Sequence, residues 1–312
     1  MSESILAVAP IFLLIVLGYG LRRGSVPSLE FWNLNDKLVY WVLLPALLFY
    51  KTSRLDISLE MLGNFSVVIY SGFFSAVILS MLLGKLLGFS SPAITSILQG
   101  SARHNTFIAL AIAESLFGTQ GLSMAALGSA LLIPMTNVVV ITLMVWQLHS
   151  DSKLSAIVAA TLKDLARNPL ILAVSLGLTF NYLGFKEVPI LHEMTRILGG
   201  AALPVVLMCV GANIRVRAMA ASWVPVMISS CIKMLLFPLI IVTVSVAIGL
   251  DTMQTTIAVL FGAAPTGANS YTLARQMGGD APLMAAIVTI QTALAVISLP
   301  VTIELVRGFL GS

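Results

Sequence analysis

The stretch FGAAPTGANSY, residues 261–271, constrains the fold more than any other part of the chain. It lies within the apolar segment 253–277, which is long enough to cross a lipid bilayer as a helix. Pro265 has no backbone N–H and clashes with the preceding helical turn, and the flanking glycines favour no single backbone conformation. Unpaired backbone groups at membrane depth are tolerated only where protein buries them or where they line a wet cavity. The stretch therefore predicts a membrane helix that is broken near its middle.

A second apolar segment, residues 92–117, has a similar interruption. Its middle part, QGSARHNTF, places Arg103, His104 and Asn105 where a membrane span is usually apolar. Two interrupted spans at corresponding positions in the two halves of a chain are the best sequence indication of a secondary transporter's binding site. We therefore expect the two breaks to meet at one wet cavity.

The composition indicates a polytopic membrane protein. Of the 312 residues, 58% are apolar and only 10% are charged, and the mean hydropathy is +1.01. Soluble domains average about a quarter charged residues, so the composition disfavours a soluble enzyme with one large core. The net charge of +4 comes from loop lysines and arginines, which favours orientation signals over nucleic-acid binding. Cys209 and Cys231 have no metal-site spacing, and no cofactor motif is present.

The apolar pattern predicts an all-α protein with ten membrane-spanning helices, of which helices 4 and 9 are broken. The first span is long enough to remain in the membrane rather than be removed as a signal peptide. The predicted spans cover approximately residues 4–21, 37–52, 65–87, 92–117, 122–148, 169–185, 194–212, 223–249, 253–277 and 282–306.

An internal repeat relates the two halves of the chain. Because each unit holds five spans, an odd number, the second copy enters the membrane from the opposite face, and the halves are inverted repeats. Chance matching among common membrane residues is the alternative. The matched pairs are Pro10 and Pro169, Gly18 and Gly177, Pro45 and Pro204, Gly100 and Gly262, Gly118 and Gly278, and Pro134 and Pro300.

The loop charges predict the orientation. With the N-terminus outside, ten lysines and arginines fall on the cytoplasmic side and five on the outer side. Positive charge concentrates in cytoplasmic loops, so both termini are predicted outside the cytoplasm. The chain is thus expected in a cell inner membrane, with residues 149–168 as a cytoplasmic loop.

Four stretches together resemble the auxin efflux carrier family over essentially the whole chain. They are LVYWVLLPALLF at 38–49, RHNTFIAL at 103–110, AAPTGANSYTLARQMGGD at 263–280 and ISLPVT at 297–302. The resemblance implies crossed broken helices, a homodimer and an elevator-type cycle. It also implies scaffold helices at 1–60 and 169–220, and moving transport-domain helices at 61–148 and 221–312. The charged first break, where plant members look uncharged, favours a small carboxylate over auxin itself.

Arg103 is the leading candidate for binding a substrate. Its planar guanidinium suits two-pronged contact with a carboxylate, and a mid-membrane arginine must face a cavity or a partner. The alternatives are pairing with Glu114, capping of free carbonyls at the break, or a position at the cytoplasmic edge. His104 could couple transport to protons, or simply form hydrogen bonds at the break. Asn105 could bind freed backbone groups, substrate, or both.

The second break supplies further candidates. Pro265, Thr266, Gly267 and Asn269 are predicted to contact substrate, partly through backbone N–H groups at a half-helix N-terminus. Like Asn105, Asn269 could bind freed backbone groups, substrate, or both.

Two charged residues are candidates for ion coupling. Lys233 lies within predicted span 8. Its ammonium group could replace the sodium ion that related folds bind, or it could carry a proton. Alternatively, it could bind backbone carbonyls at the crossing or pair with Glu114. Glu114 is a candidate for the same coupling site, although it could simply reach the membrane interface.

These features predict a secondary carrier of a small organic anion that works by alternating access. An indole-acid efflux carrier, a channel or sensor, and an intramembrane enzyme are the alternatives. An enzyme is disfavoured because no nucleophile elbow or zinc-protease motif occurs, and the absence of a phosphate-binding loop disfavours transport driven by ATP.

Overall fold

The computed structural model describes residues 3–26, 28–55, 59–148, 163, 166–185, 187–214 and 223–311. The secondary structure in these ranges is helical, without strands. Most of the predicted loop 149–168 lies outside the described residues, as do the loop cations Lys153, Lys186, Arg215 and Arg217. In chain order the helices are α1 (Glu3–Arg23), α2 (Leu29–Leu38), π1 (Val39–Leu43), α3 (Leu44–Thr52), α4 (Leu59–Leu86), α5 (Ser91–Ala102), α6 (Thr106–Leu148), α7 (Pro169–Tyr182), α8 (Leu191–Ala212), α9 (Trp223–Cys231), π2 (Ile232–Leu236), α10 (Phe237–Ile248), α11 (Thr252–Ala263), α12 (Asn269–Met277) and α13 (Ala281–Leu310).

Six helices or runs of helices in this part of the chain are long and apolar enough to cross a membrane. They are α1, α4, the run from α5 to α6, α8, the run from α9 to α10, and α13. The shorter helices α7 and α11 are also apolar. The all-helical, multi-pass character expected from the composition agrees with this architecture.

Helix α6 bends sharply at Gly118, whose φ of 58° and ψ of −142° are not helical. A Cβ built on Gly121 would lie 2.3 Å from the carbonyl oxygen of Ala113. Eight residues of straight helix would separate these positions by about 12 Å. The chain therefore turns back at Gly118, between the predicted spans 92–117 and 122–148.

Two widened helical turns, π1 and π2, each precede a proline. The N–H of Leu44 donates to the carbonyl of Val39, and that of Phe237 donates to Ile232, five residues back in each case. Pro45 and Pro238 follow these turns; a proline has no N–H and crowds the carbonyl four residues before it, and a widened turn accommodates both effects. The extra residue in each turn changes which side chains face the protein interior.

Helices α1 and α8 cross with their backbones in contact. A Cβ on Gly18 would lie 2.0 Å from the carbonyl oxygen of Met208, and one on Gly211 would lie 1.8 Å from that of Ile15. Only glycine, which has no Cβ, permits this approach. Phe12 of α1 and Val206 of α8 are buried in the same hydrophobic core.

Gly211→Ala is expected to destabilise the protein strongly, because the new methyl group forces α1 and α8 apart. Overpacking of a tight interface typically costs about 1–3 kcal/mol, and displaced backbone places this site at the upper end. The apparent melting temperature in detergent measures the effect. Gly200→Ala on the same helix is the matched control, because nothing lies within 4 Å of its added Cβ. Equal melting temperatures for the two variants would contradict the proposed backbone contact.

Candidate functional site

The two interrupted helices meet at their breaks, as the sequence predicted. α5 ends at Ala102 and the chain resumes as α6 at Thr106, while α11 ends at Ala263 and α12 begins at Asn269. The backbone N–H of Asn105 donates to the carbonyl of Pro265 over 2.7 Å. The two non-helical segments are thus joined directly, backbone to backbone.

Gln291 of α13 holds the two breaks together. Its Oε1 accepts from the backbone N–H of Thr266 at 3.0 Å, and its Nε2 donates to the carbonyl of Gly100 at 3.0 Å and to Ser229 Oγ at 3.1 Å. The Thr266 hydroxyl lies 2.8 Å from both Gln291 Oε1 and the Gly100 carbonyl. Gln291 thus forms hydrogen bonds between helices, whereas the hydroxyl of its neighbour Thr292 donates within its own helix, to the carbonyl of Val288.

The half-helices after the breaks differ in their N-terminal caps. Asn105 Oδ1 accepts from the N–H groups of Phe107 and Ile108, at 3.1 and 3.3 Å, and so caps α6. Helix α12 follows Ala268, which has no side-chain cap. Uncapped N–H groups and the positive end of the helix dipole make a helix N-terminus suitable for an anion. Of the two half-helices that follow the breaks, only α12 is free of a side-chain cap.

A cavity of about 530 Å³ opens beside the crossing. The first break contributes three consecutive residues to its wall, and the start of the second half-helix contributes three more. Residues of π1, α3 and α8 add apolar and aromatic surface, and polar residues come from α2 and from the residues next to α7 and α8. The lining includes Arg103, His104, Asn105, Gly267, Ala268 and Asn269, the apolar and aromatic residues Val39, Tyr40, Trp41, Leu44, Val206 and Val210, and the polar residues Asp36, Lys37, Asn168 and Asn213.

Arg103 brings to this cavity a cation that forms no ion pair within the described part of the chain. The residue is 8% exposed, and its Nη1 is buried and has no hydrogen-bond partner. The acidic residues that form ion pairs within the described ranges, Glu3, Glu187 and Glu193, pair with other arginines. The predicted alternative of a pair with Glu114 is not formed, because Glu114 is exposed near the end of the first part of α6. The guanidinium is therefore left available to a ligand.

Two other wall residues have polar side-chain atoms without partners. Both ring nitrogens of His104 are buried and make no hydrogen bond, and neither does the hydroxyl of Thr136. The His104 ring instead stands edge-on to Phe261, with centroids 5.2 Å apart and planes at 87°. The hydrogen-bonding alternative for His104 at the break is thus absent from this structure.

The four predicted residues of the second break separate into two groups. Gly267 and Asn269 line the cavity, together with Ala268. Pro265 and Thr266 lie outside its wall, because the Pro265 carbonyl is bound to Asn105 and Thr266 is fully buried against Gln291. The structure therefore places Pro265 and Thr266 in the joint between the breaks.

Sequence reasoning did not select the aromatic pair Tyr40 and Trp41 as wall residues. Both belong to π1, which precedes Pro45 in the motif LVYWVLLPALLF. Pro45 was the available signal, because a proline inside an apolar helix indicates that the helix is locally irregular.

Lys233 lies outside the cavity wall, fully buried in π2. Its Nζ donates to the carbonyl of Phe261 over 2.9 Å and stands 4.6 Å from the centroid of the Phe237 ring. Of the predicted alternatives, this geometry matches the holding of a carbonyl at the crossing. It does not include a contact with Glu114.

The sequence comparison decides the class of the protein. A family model described as "Membrane transport protein" matches residues 4–303. The chain belongs to this family. An uncharacterized transporter from Methanothermobacter thermautotrophicus is 24% identical over 305 residues, which cover 96% of each chain. These matches confirm the resemblance to auxin efflux carriers, and the protein is a membrane transporter rather than an enzyme.

Proposed function

We propose that this transporter carries a small organic anion, a carboxylate, in the cavity beside the two helix breaks. The observation that carries the proposal is the buried, unpaired guanidinium of Arg103 in the cavity wall. A carboxylate accepts two parallel hydrogen bonds from a guanidinium, and such charge-assisted pairs are strong where water is excluded. A buried cation without a partner is costly, so a ligand that supplies the counter-charge is stabilised there.

The second half of the proposed anion site is the N-terminus of α12. Gly267, Ala268 and Asn269 line the same cavity as Arg103, and no side chain caps this helix end. A substrate carboxylate between the two would meet a fixed positive charge and a positive helix end. This arrangement requires no metal ion or other cofactor.

We infer an architecture of ten spans in two inverted five-helix repeats. The helices before the breaks, α5 and α11, have 12 residues each, and glycines with positive φ, Gly118 at 58° and Gly278 at 81°, follow the two broken spans. Helix α1 packs along α8, and α3 packs on α7 and α8, as expected for the scaffold. Helix α4 packs on α5 and α10, and α11 packs on α6 and α13, as expected for the transport domain.

The cavity supports alternating access by an elevator-type movement. Transport-domain residues such as Arg103 form one wall and scaffold residues such as Trp41 form the other, so sliding of one unit past the other would carry the site across the membrane. Polar residues of the cavity, including Lys37 and Asn213, lie on the side that the charge bias assigns to the cytoplasm. We propose a homodimer in a cell inner membrane with both termini outside.

An apolar carboxylic acid, such as an indole acid, is the second candidate substrate. Tyr40, Trp41, Leu44, Phe107 and Val206 give the cavity a large apolar surface opposite the polar break. Such a wall favours a substrate with one carboxylate and an apolar body, because binding then removes apolar surface of both the substrate and the cavity wall from water. A dicarboxylate would have to place its second charge among the polar residues near Lys37.

Counterflow in proteoliposomes tests the proposed function. Vesicles loaded with unlabelled succinate, propionate or indole-3-acetate should accumulate the matching radiolabelled acid transiently and saturably, because a carrier exchanges one bound molecule for another. A channel would equilibrate the label without overshoot. Uptake of none of these acids, by protein that remains folded, would contradict the proposal. An imposed pH gradient in the same assay tests whether transport is coupled to protons, the role for which His104 is the candidate.

A further inference from the structure

The carbonyl of Phe261 has no donor within its own helix. It lies in the last turn of α11, and the residue four positions on is Pro265, which has no N–H. The fully buried Lys233 supplies the missing hydrogen bond from the neighbouring turn π2, over 2.9 Å. Lysine is almost never fully buried unless it is paired, so this position needs an explanation.

The side chain of Phe261 continues the connection towards the cavity. One side of its ring meets the His104 ring edge-on at 5.2 Å. Elsewhere the ring lies against Gly128, where an added Cβ would be 2.6 Å from a ring carbon. The ring thus has little room to move, and a shift of the Phe261 backbone would be transmitted to His104. His104 lies in the cavity wall between Arg103 and Asn105.

We propose that Lys233 is a positioning residue for the substrate site. It fixes the backbone of Phe261 at the second break, and through the Phe261 ring it fixes His104 and the adjoining Arg103 of the first break. Lys233 does not touch the substrate. The part of this inference that concerns substrate affinity rests on the proposed function, whereas the part that concerns the order of the first break does not.

A double-mutant cycle between Lys233→Met and Phe261→Leu tests the connection. Met removes the donor at similar length, and Leu keeps the carbonyl but removes the ring. Each single variant should raise the KM for the transported acid by about tenfold and leave the maximal rate within about threefold. The KM of the double variant should not exceed the higher of the two single-variant KM values. Leu235→Met, at an exposed position of the same turn, is the matched control and should keep the wild-type KM. Lys233→Arg, which retains a donor, should recover most of the affinity.

Hydrogen exchange of peptides covering residues 100–110 gives a second readout that needs no substrate. Lys233→Met should speed exchange there, because the hydrogen bond from Asn105 to Pro265 opens more often, whereas Leu235→Met should not. Fold-changes in KM that multiply in the double variant, or an unchanged KM with unchanged exchange, would overturn the inference. If Lys233→Met does not fold, a Phe261→Leu variant with wild-type KM and exchange overturns it as well. Faster exchange in a protein that transports none of the acids would support the positioning role and refute the proposed function.

Discussion

Arg103→Gln is expected to abolish saturable anion uptake at substrate concentrations that saturate the wild type. Truncating one member of a buried charge pair typically costs about 2–5 kcal/mol, which corresponds to a loss of affinity of about thirtyfold or more. Glutamine keeps a polar side chain of moderate length but supplies neither the charge nor the two-pronged geometry. Counterflow of the radiolabelled acid and ligand-induced thermal shift measure the loss independently.

The stability of the same variant separates substrate binding from a structural role. The guanidinium is buried and has no carboxylate partner among the residues that the structure describes, so its removal relieves a desolvation penalty and breaks no ion pair there. The apparent melting temperature without ligand is therefore expected to stay the same or rise. A substantial fall would show that Arg103 supports the fold and would remove it from the proposed anion site.

Two further variants define what the site requires. Arg103→Lys retains a positive charge but not the planar fork, and we expect weakened uptake between the wild type and Arg103→Gln. Arg275→Gln removes an exposed arginine from α12 and serves as the control for a general change of charge. Equal losses in Arg275→Gln and Arg103→Gln would mean that overall charge, rather than the cavity, governs uptake.

The helix breaks could be predicted from sequence because they depend on local chemistry. A proline between glycines removes helical hydrogen bonds wherever it occurs, and an Arg-His-Asn run is costly in an apolar segment wherever it points. The meeting of the two breaks followed from the need to satisfy backbone groups away from water, and the bond from Asn105 to Pro265 meets that need.

The direction of individual side chains at the breaks could not be predicted in the same way. Helical periodicity assigns a face to each residue only while the helix is regular. At the second break the backbone of Ala264 is extended. The helical periodicity of α11 therefore does not predict which way Thr266 and Gly267 face. The structure turns Thr266 towards Gln291 and Gly267 towards the cavity.

The widened turns had a comparable effect on Tyr40 and Lys233. One extra residue in a turn departs from the regular helical pattern, so that pattern does not predict that Tyr40 and Trp41 of π1 line the cavity or that Lys233 of π2 reaches Phe261. The sequence indicated that Lys233 is buried but left its partner open, because that partner belongs to another helix 28 positions along the chain.

A carboxylate built into the site should act as a tethered competitor of the substrate. Ala268→Asp places an acidic side chain at the uncapped N-terminus of α12, in the cavity that Arg103 lines. We expect counterflow to fall to about a tenth or less, because the aspartate satisfies the positive helix end and the guanidinium that the substrate would otherwise bind.

Ala268→Asn is the matched control, since asparagine has nearly the same shape and can cap the helix but has no charge. It should retain at least about half of the wild-type uptake if charge, rather than volume, excludes the substrate. Ala268→Asp should also raise the apparent melting temperature, because a negative side chain near a helix N-terminus is stabilising. Loss of uptake in both variants would show that steric filling of the cavity is sufficient. Retained uptake in Ala268→Asp would show that α12 and Arg103 do not jointly bind the transported anion, because a fixed carboxylate among these groups must repel a second one.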